Sequence, residues 1–274
     1  MAKTISSETS PAIVSISSQV AYGTVGNSAA VPAMQALGAT VHAVPTIVLS
    51  FHPGLGTPTG FRIPARDLAA LLDALEALGV FDGIAAVLTG YFAADDQIYA
   101  VQRIIARMKQ HNSRLLYLCD PVIGDEISGL YVPEPVAEAI RASLLPLADV
   151  ITPNVFELAW LSRRPVRTIA DVRSARSGLG VPSLLATSLA TAPDRLLTIL
   201  TGALGEAKVE SLRRSHVPHG TGDLLSGLFL GFLAKGEDGP AALNRSLAAL
   251  EAVIDASAGL PVLKLSALGG ALQP

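Results

Sequence analysis

The segment His219-Gly220-Thr221-Gly222-Asp223 runs directly into an apolar stretch, Leu224 to Ala234. That order predicts a glycine-rich turn opening a buried helix, with a carboxylate in the first helical turn. Glycine permits a tight turn and lets a ligand approach the main chain closely. The first amides of a helix have no acceptor inside it, so they can bind a phosphate. An aspartate held beside them can take a proton from an attacking hydroxyl. An anion hole with a base is a minimal kit for phosphoryl transfer. An aspartate there also stabilises a helix N-terminus in its own right, so the motif alone leaves both readings open.

The other polar candidates stand where strands should end. Asp120 closes the run Leu115 to Cys119, Thr152 and Asn154 follow Asp149-Val150-Ile151, and Thr187-Ser188 follows Ser183-Leu184-Leu185-Ala186. In open parallel sheets the ligand crevice lies outside the carboxyl ends of the strands. The elements that must position these residues alternate along the chain. Further strands are expected at Ile13 to Ser17, Val41 to Leu49 (interrupted in character by Pro45), Ile84 to Leu88 and Leu196 to Leu200. An antiparallel one is expected at Lys208 to Val217. Helical spacing marks Leu68, Leu71, Leu72, Leu75 and Leu78, then Ile98, Val101, Ile104, Ile105 and Met108. Helices are also expected at Gly26 to Leu37, capped by Asn27 or Ser28, near Pro135 to Leu144, and from Asn154. Asp223 to Lys235 and Ala241 to Ala258 close the chain as helices. This alternation predicts an α/β fold with a mostly parallel sheet covered on both faces. One domain over residues 1–274 is expected, with residues 1–11, polar and rich in Ser and Thr, as a flexible N-terminus.

Composition narrows the function. Half of the residues are hydrophobic, 16% are charged, and the net charge is −3, so a large core is supplied and nucleic-acid binding has no electrostatic support. Cys119 is the only cysteine, which excludes an internal disulfide and a thiolate-rich zinc site. The N-terminus lacks the layout of a secretory signal, and the apolar run at Leu224 is too short to span a bilayer. A cytoplasmic protein that does not bind membranes is expected. G-x-x-x-x-G-K-[ST] is absent, and Gly23-Thr24-Val25-Gly26-Asn27 has the wrong spacing for a dinucleotide turn.

Taken in order, the motifs carry a resemblance. They are Ser15-Ile16-Ser17-Ser18, Gly23-Thr24-Val25-Gly26-Asn27-Ser28-Ala29-Ala30 and Leu88-Thr89-Gly90-Tyr91. Cys119-Asp120-Pro121-Val122-Ile123-Gly124-Asp125 and Ile151-Thr152-Pro153-Asn154 with Glu157 follow, then Thr187-Ser188 and Gly220-Thr221-Gly222-Asp223. From Ile13 to Lys235 the chain resembles the pyridoxal kinases, the vitamin B6 branch of the ribokinase superfamily. The resemblance implies a ribokinase-like fold and ATP-dependent phosphorylation of the 5′-hydroxymethyl group of pyridoxal, with pyridoxine and pyridoxamine as further substrates. It also implies a homodimer.

The same resemblance assigns residues. Asp223 matches the catalytic base, and Gly220, Thr221 and Gly222 match the anion hole. Asp120, Asp125 and Glu157 match the magnesium neighbourhood. Together with Asn154, Thr152, Thr187, Ser188, Thr221 and Gly222, they form the expected ATP site. K+ is a further ion the resemblance allows. Ser18, Thr46, Tyr91 and His52, with Asp223, are the positions matched to the vitamin. Gly124 to Pro133 matches a cover over the nucleotide. Phe51 stands where the family pattern has Asn, and Gln19 where His is common. The competing readings are a hydroxymethylpyrimidine kinase, which shares fold and base, and a non-catalytic protein that holds a B6 vitamer or a nucleotide. Asp223-Leu224-Leu225 departs from the G-T-G-C-T pattern of the former, and the intact glycines around Asp223 argue against the latter.

Overall fold

In the computed structural model, which describes residues 10–272, the chain alternates strand and helix. Its first half comprises β1 (Ala12–Tyr22), α1 (Asn27–Ala36), β2 (Thr40–Phe51), β3 (Gly60–Arg62), α2 (Ala65–Ala77), β4 (Ile84–Thr89), α3 (Asp95–His111) and β5 (Leu116–Cys119). A hairpin of β6 (Gly124–Asp125) and β7 (Gly129–Leu130) follows, then α4 (Glu134–Ala139), β8 (Val150–Ile151) and α5 (Val155–Ser162). The last third holds α6 (Ile169–Leu179), β9 (Ser183–Ala192), β10 (Arg195–Gly202), β11 (Ala207–Leu212), α7 (Thr221–Ala234), α8 (Gly239–Ala256) and α9 (Leu268–Ala271). Most of the N-terminal stretch expected to be flexible lies outside the described residues; at its end, the Pro11 carbonyl accepts the N–H of Thr40.

Nine strands form one sheet in the order β11-β10-β9-β8-β5-β4-β1-β2-β3. The six from β9 to β2 are parallel, while β3, β10 and β11 run antiparallel to their neighbours. The parallel strands are apolar on both faces because both faces are covered. On one face Val14, Ile16, Val87 and Tyr117 pack against α2 to α6 through Leu68, Ile98, Ile105, Leu158 and Val172. On the other, Ile13, Ala86, Leu88 and Leu118 pack against α1, α7 and α8 through Met34, Leu228, Phe232 and Leu243. Helix α7 meets α1 closely: a Cβ on Gly227 would stand 2.8 Å from the Ala30 Cα. This contact seats the start of α7 beside the turn after β1.

Two local expectations are corrected. Neither Asn27 nor Ser28 caps α1; Gly26 holds that position without a side-chain cap. Asn27 is buried and instead accepts from the Ser15 hydroxyl and donates to the carbonyls of Ser17 and Val44. It is more useful there, because it ties β1 to β2 where buried backbone oxygens need partners. Pro45 does not interrupt β2. Strand β3 pairs only with Ile47 to Leu49, so at Pro45 the strand has a single neighbour, and the register to β1 shifts beside it.

Candidate active site

Carboxyl ends of the parallel strands deliver the expected residues to one end of the sheet. Asp120 follows β5 and is 7% exposed. Thr152 follows β8, Thr89 and Tyr91 lie at the end of β4, and Ser18 and Thr46 lie late in β1 and β2. Thr187 and Ser188 fall inside β9, at a bulge opposite Leu197 and Ile199, with Asn154 bridging to Thr187. Ser188 has φ 65°, a left-handed conformation that serine seldom adopts. Bulges next to functional sites re-aim side chains, and the backbone strain there is held by its surroundings.

Helix α7 begins as its glycines predict. Gly220 sits at φ 100°, and a Cβ there would lie 1.8 Å from the Thr24 carbonyl oxygen, so no other residue fits. The Leu224 N–H makes the first helical bond, to the Gly220 carbonyl. The amides of Thr221 and Gly222 precede that ladder, and Gly222 faces open space. The backbone N–H groups of Gly26 and of Asp223 itself lie close enough to the Asp223 carboxylate to favour its charged form. Gly26 also abuts the Ser18 hydroxyl, where a Cβ would come within 2.2 Å, so Ser18 and Asp223 flank one glycine. Burial raises the Asp223 pKa to about 6, against those two amides, which pull it down.

Asp120 is held more tightly. Its Oδ2 accepts from the Ser226 hydroxyl at 2.8 Å, and Ser226 lies 2.9 Å from the Thr152 hydroxyl. Burial, then Glu157, then Asp223 drive its proton affinity well above the ordinary carboxylate range. Glu157, 3% exposed, is raised to about 7, chiefly by burial. Its oxygens accept the N–H groups of Ile123, Gly124 and Asn154, and it forms a capping box with Asn154 at the start of α5. The Asn154 amide reaches the Gly124 carbonyl at 2.8 Å. Glu157 and Asn154 therefore clamp the β6–β7 hairpin onto α5, and their polar atoms face protein rather than an open ligand position.

Asp125 stands apart from the buried group. It is partly exposed and accepts from the N–H groups of Ile127 and Ser128 and from the Ser128 hydroxyl, which is hairpin geometry. Tyr131, beyond the hairpin, has its hydroxyl pKa raised by burial and then by Glu157, Asp120, Asp223 and Asp125, so all four carboxylates act on one locality.

These oxygen donors suit a hard cation. Among the described residues, none of the four carboxylates is paired with Lys, Arg or His, and the two most buried repel each other's charge. No three His, Cys, Asp or Glu of the described residues converge at ligand distance. A cation here would therefore take most of its ligands from phosphate and water, which is the habit of Mg2+.

Among the residues matched to the vitamin, Thr46 is fully buried and donates to the Tyr91 carbonyl at 2.7 Å, so its hydroxyl hydrogen is committed to the chain. Tyr91 is half-buried, its N–H donating to the Ser17 hydroxyl. Gln97, fully buried, ties the Ala93 N–H to the carbonyls of Thr46 and Ile63. His52 stacks on His219, with ring centroids 4.2 Å apart. Ser226 and Gln97 were not singled out from the sequence, and His219 stood there only as the start of the glycine segment, with no role of its own. Ser226 had a signal, since it lies three residues beyond Asp223 and so on the same side of α7.

A family model described as phosphomethylpyrimidine kinase matches residues 23–264. Pyridoxal kinase PdxY of Deinococcus radiodurans is 36% identical over 255 residues, covering 89% of this chain and 86% of that protein. The chain belongs to the pyridoxal kinase family. The pyridoxine/pyridoxal/pyridoxamine kinase of Bordetella bronchiseptica is 37% identical, covering 90% and 91%. Pyridoxal kinase from Leishmania donovani, solved in complex with ADP and pyridoxine, superposes with a TM-score of 0.88 at 28% identity, covering 94% of each chain. The fold is thus the ribokinase-like fold of pyridoxal kinases. Against that pattern, Gln19 turns inward, donating to the Ser28 hydroxyl at 2.7 Å, and Phe51 packs toward Gly56.

Proposed function

We propose that this chain is an ATP-dependent kinase that phosphorylates the 5′-hydroxymethyl group of pyridoxal, and of pyridoxine and pyridoxamine, in vitamin B6 salvage. The observation that carries this reading is the joint placement of Asp223 and the free Thr221 and Gly222 amides at the opening of α7. It is supported by pyridoxal kinase relatives over most of the chain.

In the reaction, the substrate hydroxyl gives its proton to an Asp223 oxygen as its own oxygen bonds to the γ-phosphorus. The bond from that phosphorus to the β–γ bridging oxygen breaks, and ADP leaves with the electron pair. The Thr221 and Gly222 N–H groups meet the charge on the transferring group, where fixed dipoles are worth most. Phosphoryl transfer needs positioning and charge neutralisation above all, so no covalent intermediate on the chain is required. Magnesium, when bound, neutralises phosphate charge. Asp120 would hold it, and Glu157 and Asp125, whose oxygens already accept backbone N–H groups, would add negative charge nearby. Thr152, Asn154, Thr187 and Ser188 border the nucleotide. Ser18, Tyr91 and His52 border the vitamin, and Thr46 fixes the Tyr91 turn. K+ is the monovalent ion to test for a requirement.

The proposed unit is one domain, because both cores share one sheet. A homodimer is proposed on the family resemblance, and the exposed edge strand β3, where Phe61 is 62% exposed, offers a face for it. Light scattering is expected to give twice the chain mass. No helix of the described residues is long and apolar enough to cross a membrane, and a cytoplasmic site of action is proposed.

The test is ATP turnover with magnesium against pyridoxal, pyridoxine, pyridoxamine and hydroxymethylpyrimidine in parallel. Preference for the B6 vitamers is expected. Turnover of hydroxymethylpyrimidine alone would move the chain to the thiamin branch, and no turnover of any alcohol would leave a binding protein.

A further inference from the structure

Ser226 has no part in the reaction as described, yet it is 2% exposed and its hydroxyl sits between two residues of the site. Its Oγ is 2.8 Å from Asp120 Oδ2 and 2.9 Å from Thr152 Oγ1. A serine hydroxyl has one hydrogen. With Asp120 ionised beside a bound cation it can only accept, so that hydrogen goes to Asp120, and Thr152 donates to the Ser226 oxygen. The three side chains thus form a directed chain: Thr152 to Ser226 to Asp120. They come from the ends of β8 and β5 and from α7.

The position on α7 gives this chain its consequence. Asp223 stands three residues earlier on the same helix, one turn away on the same side. Ser226 therefore anchors Asp120 to the rigid body that carries Asp223. The helix itself is seated by Gly227, whose contact with Ala30 leaves no room to slide. We infer that Ser226 is a positioning residue: it fixes the Asp120 carboxylate relative to Asp223 and aims the other Asp120 oxygen at the divalent cation. Thr152 acts one step behind it. Partners that orient ligating carboxylates are worth about 10- to 100-fold in metal affinity or activity. This inference rests on the kinase reading above, in which Asp120 faces magnesium.

The experiment is binding of Mn2+ to the full chain with saturating ADP, followed by the electron paramagnetic resonance of free Mn2+. It is run beside the Mg2+ dependence of pyridoxal turnover. In Ser226→Ala, the Mn2+ dissociation constant and the Mg2+ half-saturation are expected to rise about tenfold or more. KM for pyridoxal should stay within about twofold, since the vitamin side is untouched. Ser226→Thr, which restores a hydroxyl, should recover most of the Mn2+ affinity. An unchanged Mn2+ dissociation constant in Ser226→Ala, with wild-type turnover intact, overturns the inference and leaves the kinase reading standing. Absence of Mg2+-dependent turnover in the wild type defeats the kinase reading itself. If Ser226→Ala does not fold, Thr152→Val decides. It removes the donor behind Ser226 and should weaken Mn2+ several-fold, and unchanged affinity there overturns the inference equally.

Discussion

At the floor of the crevice Asp120 is 7% exposed, bound by Ser226, and surrounded by partnered groups from β5, β8 and α7. At the rim, Asp125 spends its oxygens on the turn of a small hairpin whose tip residue, Ile127, is 98% exposed. Both aspartates come from the same Asp-Pro-Val-Ile-Gly-Asp stretch. Under the proposed reaction the difference divides labour: desolvated, partnered groups where phosphate charge is met, and a self-contained loop at the edge. Tyr131, also at the rim, has its hydroxyl under the influence of the floor carboxylates, so the two regions meet there.

The strongest way to break this contrast is to disturb the floor through its backbone. Gly220→Ala should lower kcat by roughly 10²-fold or more, the scale seen when anion-hole donors are lost. It should also lower thermal stability, because the new Cβ meets the Thr24 carbonyl at 1.8 Å and φ is 100°. Near-normal turnover in that variant would mean the turn is not the anion hole. Next, Asp120→Asn should reduce Mg2+-dependent kcat by about 10²-fold, while Asp125→Asn should cost less than about tenfold. Equal losses in side-by-side assays would erase the distinction between floor and rim.

A pH series sharpens it further. Asp223 must be ionised to act, so kcat/KM should fall below about pH 6 as it protonates. Stability runs the other way. The folded pKa of Asp223 is raised, so its favourable contribution is complete below pH 3.8 and is lost as pH rises through about 6. Asp223→Asn should therefore gain stability over wild type at pH 8 and not at pH 3. The gain is on the order of 3 kcal/mol at most, trimmed by the solvent opening of the side chain. Calorimetry at the two pH values checks it.

The smallest effect belongs to the loop beyond β2. His52 Nδ1 accepts the Gly54 N–H at 3.0 Å, which requires a neutral ring. Burial and then His219 lower its pKa; the other residues around the pair, Gly23, Thr24, Val25, Leu55, Pro261 and Val262, carry no charge. A depressed histidine pKa gives stability that is present above pH 6.5 and lost as pH falls through the folded value. The protection of the Gly54 amide, its exchange relative to the intrinsic rate at each pH, should fall in acid, and His52→Ala should remove that pH dependence. Protection in wild type that does not change with pH would show that the His52 contact is not what holds the loop.

Much of this architecture was legible because buried parallel strands are short apolar runs and their covering helices carry a 3.6-residue period, as at Ile98 to Met108. The glycine turn was legible because Gly220 has a local reason to be glycine, its φ of 100° and the Thr24 carbonyl against it. What stayed hidden depends on partners distant in sequence. Asn27 read as a cap and became a buried tie between β1 and β2. Asn154 and Glu157 read as ligand-facing, yet their oxygens go to the backbone of the hairpin and α5. Thr187 and Ser188 are a bulge that only pairing with β10 defines. Ser226 gained meaning only when β5 and β8 arrived beside α7.

If Asp223 is the base at the mouth of this anion hole, steady-state kinetics of Asp223→Asn with pyridoxal and ATP will reveal it. The kcat should be lower by about 10²- to 10⁴-fold, the range for a lost general base, with KM for pyridoxal little changed. A kcat equal to that of the wild type would contradict that role.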